Sequence, residues 1–130
     1  MAPISVTLAP RDPPAAVVAL VGEHDAYSAG RLEGELAVLL DERRGIVVDL
    51  RDTEFVDSTT LAALLGARRE AERLGLGFTL VLPRREYTQV TRLLELTGLA
   101  STFAIYDTLD DALNESRSGR TGGGSVRSAA

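Results

Sequence analysis

The sequence predicts a single α/β domain in the element order ββαβαβαβα, with a mixed, mostly parallel sheet that begins as an antiparallel hairpin. Three observations lead there. Short apolar runs rich in β-branched residues, of which Ile46-Val47-Val48-Asp49-Leu50 is the clearest, are too brief for helices and suit buried strands. Between them lie stretches whose apolar residues recur every three to four positions, the period of a helix with one buried face. Strands alternating with helices join through right-handed crossovers, which build a parallel sheet. A chain of 130 residues is long enough to do this around one core, removing roughly two thirds of its unfolded surface from water.

Ile4 to Leu8 alternates as Ile-Ser-Val-Thr-Leu, the period-two pattern of an edge strand with one wet face. Arg11-Asp12-Pro13-Pro14 turns the chain, and the wholly apolar Ala16 to Val21 supplies the second strand of the hairpin. At Gly22-Glu23-His24-Asp25 the chain leaves the sheet. Ala29, Leu32, Leu36, Leu39 and Leu40 then fall on one helical stripe, with Asp25 or Ser28 as its cap. After the central strand comes a polar turn through Arg51, Asp52 and Thr53, then Phe55-Val56 and Asp57-Ser58-Thr59-Thr60. Leu61, Leu64, Ala67, Ala71 and Leu74 mark the following helix, which Gly75 and Gly77 end by taking the left-handed backbone. Phe78 to Leu82 is the next strand and Pro83 stops it. Val90, Leu93 and Leu94, with Tyr87, form the apolar side of a third helix closed by Gly98. Phe103-Ala104-Ile105-Tyr106 is a last short strand. Asp107-Thr108 caps a final helix through Leu109, Ala112 and Leu113. From Ser116 the chain has almost nothing to bury, so the expected division is a domain over 1–115 and a disordered tail over 116–130.

Composition narrows the function. With no cysteine and one histidine, the chain lacks the parts for a Cys/His zinc site, a thiol nucleophile or a Ser-His-Asp triad, unless His24 serves alone; neither metal, cofactor nor catalysis is expected. The net charge is −5 and all fourteen basic residues are arginine, a poor match for nucleic acid or an anionic membrane. No apolar run approaches the roughly 20 residues of a membrane span, and Met1-Ala2-Pro3-Ile4 does not read as a secretory signal. A cytoplasmic protein with protein partners is the expectation.

Three segments carry a family pattern: Gly22-Glu23-His24-Asp25, then Val47 to Leu65 with Asp57-Ser58-Thr59, then Arg92-Leu93-Leu94-Glu95-Leu96-Thr97-Gly98-Leu99. In this order and spacing they resemble the sulfate-transporter and anti-sigma-factor-antagonist (STAS) domain, and within it the bacterial anti-sigma factor antagonists, from Ile4 to about Leu113. The resemblance implies a STAS-like fold and a regulatory partner switch. The partner would be an anti-sigma factor of the serine-kinase type, which phosphorylates the serine after the motif aspartate, here Ser58; a serine phosphatase would be a second partner. It also places Gly22, Glu23, Asp25, Asp57, Ser58, Thr59 and Thr60 on the partner face. One departure stands out: those antagonists usually carry glycine where this chain has Thr60, whose branch is expected to slow a kinase.

Read without the family, Asp57 and Ser58 are good N-cap residues, Gly22 to Asp25 is a glycine exit and an acidic first turn, and His24 is a loop residue with no assigned role. Arg68-Arg69 with Glu70 and Glu72, and Arg84-Arg85-Glu86, read as solvated surface of mixed charge. Phosphorylation would add about −1.5 to −2 charges beside Asp57, with Glu23 and Asp25 close by if the two loops converge. A non-switching STAS subunit of a stress-signalling complex or lipid transporter is the nearer alternative. A receiver-like phosphoacceptor, which would need a lysine, and a small α/β hydrolase, which would need a base for Ser58, are remote ones.

Overall fold

The computed structural model describes residues 3–10, 12–83 and 87–123. Strands β1 (Ile4–Ala9) and β2 (Ala15–Leu20) form the predicted hairpin, paired from Ile4↔Leu20 to Ala9↔Ala15. They are followed by β3 (Gly22–His24), α1 (Ala26–Asp41), β4 (Gly45–Asp49), β5 (Thr53–Val56), α2 (Ser58–Leu74) and β6 (Phe78–Val81). Then come α3 (Gln89–Leu96), a 3-10 turn (Leu99–Ser101), β7 (Ala104–Tyr106) and α4 (Leu109–Arg117). The main sheet has five strands in the order β1-β2-β4-β6-β7, parallel from β2 onward, with β1 at its edge as expected.

The pleat divides the core. Val18, Ile46, Val48, Phe78 and Leu80 project to one face, where the leucines of α1, Leu61 and Leu64 of α2, and Val90 and Leu94 of α3 cover them. Val47, Val81, Ala104 and Tyr106 project to the other, against Ala112 of α4. This two-sided burial is why β4 reads as a continuous apolar run. Helix α1 shows what holds such elements: Gly30 and Gly34 in its interior each cost up to about 1 kcal/mol of helix stability relative to alanine. Burying Leu32, Leu36, Leu39 and Leu40 against the sheet is worth roughly 6–12 kcal/mol as an upper bound. Packing, not propensity, places the helix.

Four expectations need correction. The segments Gly22–His24 and Thr53–Val56, read as loops, are β3 and β5, a separate two-stranded parallel sheet. Strands this short show no period, and only tertiary pairing makes them strands. Gly75 does take the left-handed backbone, φ 73°, but Gly77 does not: a Cβ there would overlap the Ser116 carbonyl, so glycine is required by close approach. Tyr87 lies outside α3, exposed, with its hydroxyl donating to Glu95 at 2.8 Å. The chain from Ser116 is not all tail. Ser116 is buried and donates from Oγ to the Ile46 carbonyl (2.9 Å), the Phe78 amide donates to the Arg120 carbonyl (2.8 Å), and Arg68 Nε donates to the Thr121 carbonyl (2.7 Å). Backbone hydrogen bonds need no apolar side chains, which is why composition alone misjudged this stretch. Residues 124–130 and the Arg84-Arg85-Glu86 segment lie outside the described residues.

Candidate functional site

The C-terminal ends of β2 and β4 carry the chain into one place. At the end of β4, Arg51 grips Asp49 twice, Nε to Oδ1 at 2.9 Å and Nη2 to Oδ2 at 2.8 Å. Burial pushes the Asp49 carboxyl up, but these bonds and the guanidinium charge outweigh it and hold the group below its ordinary value. Thr53 then donates from Oγ1 to the Leu20 carbonyl (2.6 Å), and the Gly22 amide donates to Asp52 O (3.0 Å). Gly22 sits at φ 82°, a backbone that only glycine adopts at no cost. These cross-links set the register Glu23↔Phe55 and His24↔Val56 between β3 and β5.

Two helix caps follow side by side. Asp25, extended, caps α1 by accepting the Tyr27 amide at 2.9 Å. Asp57, at φ −99° and ψ 179°, caps α2 by accepting the Thr60 amide at 2.9 Å. The Asp57 amide donates to the His24 carbonyl (3.1 Å), and Thr60 Oγ1 reaches the Asp25 carbonyl at 3.5 Å. The loops that sequence reasoning left as converging only conditionally are therefore joined through their backbones. Ser58 occupies the first position of α2, exposed, with Thr59 exposed beside it and Glu23 and Asp25 exposed on the neighbouring loop. A serine hydroxyl thus stands at a helix N-terminus, where unpaired N-H groups and the macrodipole favour an added anion, within an acidic surround.

Thr60 departs from expectation. Its side chain is fully buried rather than on the surface, with Oγ1 directed to the Asp25 carbonyl of the neighbouring loop. Arg68 also differs, lying half-buried against the C-terminal segment.

Sequence reasoning missed three residues. His24 is fully buried: Nε2-H donates to the acceptor-only Val21 carbonyl (3.1 Å), which leaves Nδ1 to accept from Ser28 Oγ (3.1 Å) in the neutral ring. Burial lowers its pKa from the ordinary 6.5. Gln89, at the start of α3, donates from Nε2 to the Val56 carbonyl and accepts the Val56 amide at Oε1, both at 2.9 Å. Nothing in a sequence separation of 33 residues announces that pair. Tyr27 is 93% exposed at the lip of an open depression of about 580 Å³ lined by Pro3, Val21, Glu23 and Asp25. As a helix residue outside the apolar stripe it was legible as exposed, but not as lining this depression.

Among the described residues no cluster of three or more His, Asp or Glu side chains could hold a metal ion, and no helix is long and apolar enough to cross a membrane.

Comparison with known proteins is consistent across sequence and fold. The family model described as "STAS domain" matches residues 7–112. The chain is 34% identical over 122 residues to the anti-sigma-F factor antagonist RsfB of Mycobacterium tuberculosis, spanning 92% of this chain and 96% of that protein. It is 30% identical over 109 residues to the anti-sigma-B factor antagonist of Listeria monocytogenes, spanning 78% and 88%. The crystal structure of an anti-sigma factor antagonist from Mycobacterium paratuberculosis superposes with a TM-score of 0.70 at 33% identity, over 88% of this chain and 95% of that one. The Bacillus cell fate determinant SpoIIAA in its phosphorylated form shares the fold, with a TM-score of 0.62 at 18% identity over 85% and 97%.

Proposed function

Because this chain belongs to the STAS domain family, we propose that it is an anti-sigma factor antagonist that binds a serine-kinase anti-sigma factor and is released when that partner phosphorylates Ser58. The observation that carries this reading is the exposed Ser58 at the first position of α2, beside the loop bearing Glu23 and Asp25. Phosphate there would be tolerated by the helix N-terminus, so the fold survives while the interface does not. A dianion buried in an interface without a matching cation costs several kcal/mol, and each 1.4 kcal/mol weakens binding about tenfold. The exposed Tyr27 ring supplies the kind of aromatic anchor that interfaces use. A serine phosphatase would reset the switch, and the setting is the bacterial cytoplasm.

The non-switching subunit stays the rival, since Thr60, though buried, still stands where the antagonists usually carry glycine. A hydrolase needs a base for Ser58, but His24 is buried with both ring nitrogens committed to Val21 and Ser28. The deciding experiment is calorimetry with a kinase-type anti-sigma factor, using unmodified and stoichiometrically Ser58-phosphorylated protein. Unmodified protein and Ser58→Ala should bind; the phosphorylated form should bind at least about a hundredfold more weakly. Ser58→Asp, with a single charge, should be intermediate and remain folded by circular dichroism. Equal affinity for both forms would leave a non-switching binding subunit.

A further inference from the structure

Strand β5 has two sides, and only one is a strand. Its inner side pairs with β3, while its outer side is closed at Val56 by the Gln89 carboxamide, which donates to and accepts from the same residue's backbone at 2.9 Å each. An amide side chain used this way reproduces one closely spaced rung of a β-ladder. The rung lies two residues before Ser58, and the residue between them, Asp57, is held by its own amide on the His24 carbonyl and caps α2.

We propose that Gln89 is a positioning residue for Ser58: by clamping the Val56 backbone it fixes the path into the Asp57 cap, and so presents the Ser58 hydroxyl in one orientation to the kinase. The proposal rests on the reading of Ser58 as the phosphoacceptor. It makes α3, otherwise a short helix at the margin of the sheet, part of the switch. Without the clamp, the Val56 amide and carbonyl lose the partners that Gln89 supplies, and the exit from β5 becomes a hinge. The polar depression beside the clamp, lined by Arg51, Asp52, Glu54 and Thr88, admits the water that would then compete for both groups.

The test uses the full chain with Gln89→Met, which keeps length and helix preference but neither hydrogen bond, and Gln89→Glu, which changes with pH. As an anion, the introduced carboxylate still accepts from the Val56 amide but opposes its carbonyl; once protonated, it can donate and accept as the amide does. At pH 7, hydrogen exchange at the Val56 and Asp57 amides should quicken by at least about tenfold in both variants, while Val47 and Val48 in β4 keep wild-type protection. Phosphorylation of Ser58 by a kinase-type anti-sigma factor should lose at least about tenfold in kcat/KM, measured where all variants are fully folded. Near pH 4, Gln89→Glu should regain the protection of wild type at that pH, whereas Gln89→Met should not. Wild-type exchange and rate in Gln89→Met would overturn the proposal, as would a loss of protection spread evenly into β4. If the wild-type chain accepts no phosphate from any such kinase, the reading of Ser58 falls, and the exchange comparison still decides whether Gln89 holds this loop.

Discussion

His24 gives up water completely, and its ring nitrogens face the Val21 carbonyl and Ser28 Oγ. Desolvation therefore lowers its folded-state pKa below the 6.5 of the open chain, against the smaller raising effects of the Val21 carbonyl and Asp25. A depressed pKa means that the unfolded chain binds the proton more readily. The stabilisation is complete above about pH 6.5 and drains away as pH falls toward the folded value. The melting temperature of the wild type should thus decline between pH 7 and 5, and His24→Gln should lack that part of the slope; a parallel decline in both would assign it elsewhere. Asp49 does not confuse this window. Its carboxyl is depressed below 3.8, so the stability that it contributes is lost only at more acid pH. The His24 carbonyl also holds the Asp57 amide, so the buried ring and the α2 cap beside Ser58 are joined through one residue's backbone.

The elements show two kinds of glycine that look alike in the sequence. Gly77 precedes β6 and faces the last turn of α4, where any Cβ would meet the Ser116 backbone. Gly66 lies inside α2 with nothing within 4 Å of its missing Cβ. Gly77→Ala should destabilise by about 1–3 kcal/mol, the usual range for overpacking, because the obstacle is main chain and cannot swing away. Gly66→Ala should instead stabilise by roughly 0.5–1 kcal/mol through helix preference. Thermal melts of the two variants check both signs, and a neutral Gly77→Ala would mean that α4 can slide off the sheet. Helix α4 itself was legible as a helix from Leu109, Ala112 and Leu113, and Thr108 caps it as expected. Its last turn was not, since Ser116 earns its burial through a hydrogen bond to Ile46 rather than through an apolar side chain.

At the scale of the molecule, the two ends of β4 do different work. Its N-terminal end, at Gly45, rests against Ser116 and the C-terminal segment, while its C-terminal end leads into Asp49, Arg51 and the Ser58 loop. Deleting the chain from Ser118 strips the Arg120 carbonyl from the buried Phe78 amide and the Thr121 carbonyl from Arg68. An unsatisfied buried donor costs about 1–3 kcal/mol, or several degrees of melting temperature in a chain of this size. Affinity for an anti-sigma factor should stay within error, because the proposed binding face lies at the far end of β4. A truncation that weakened binding as much as folding would show that the two ends are coupled. By itself, the sequence determined the hairpin, the parallel sheet and the apolar stripes of α1 and α2, and narrowed the caps of α2 and α4 to Asp57 or Ser58 and to Asp107 or Thr108, because these depend on periodicity and on bonds within a few residues. Only the tertiary structure decided that β3 and β5 are strands, that Thr60 and His24 face inward, and that Gln89 clamps Val56. Each of those depends on a backbone group or neighbour supplied by another segment of the chain, and no local pattern encodes which neighbour arrives.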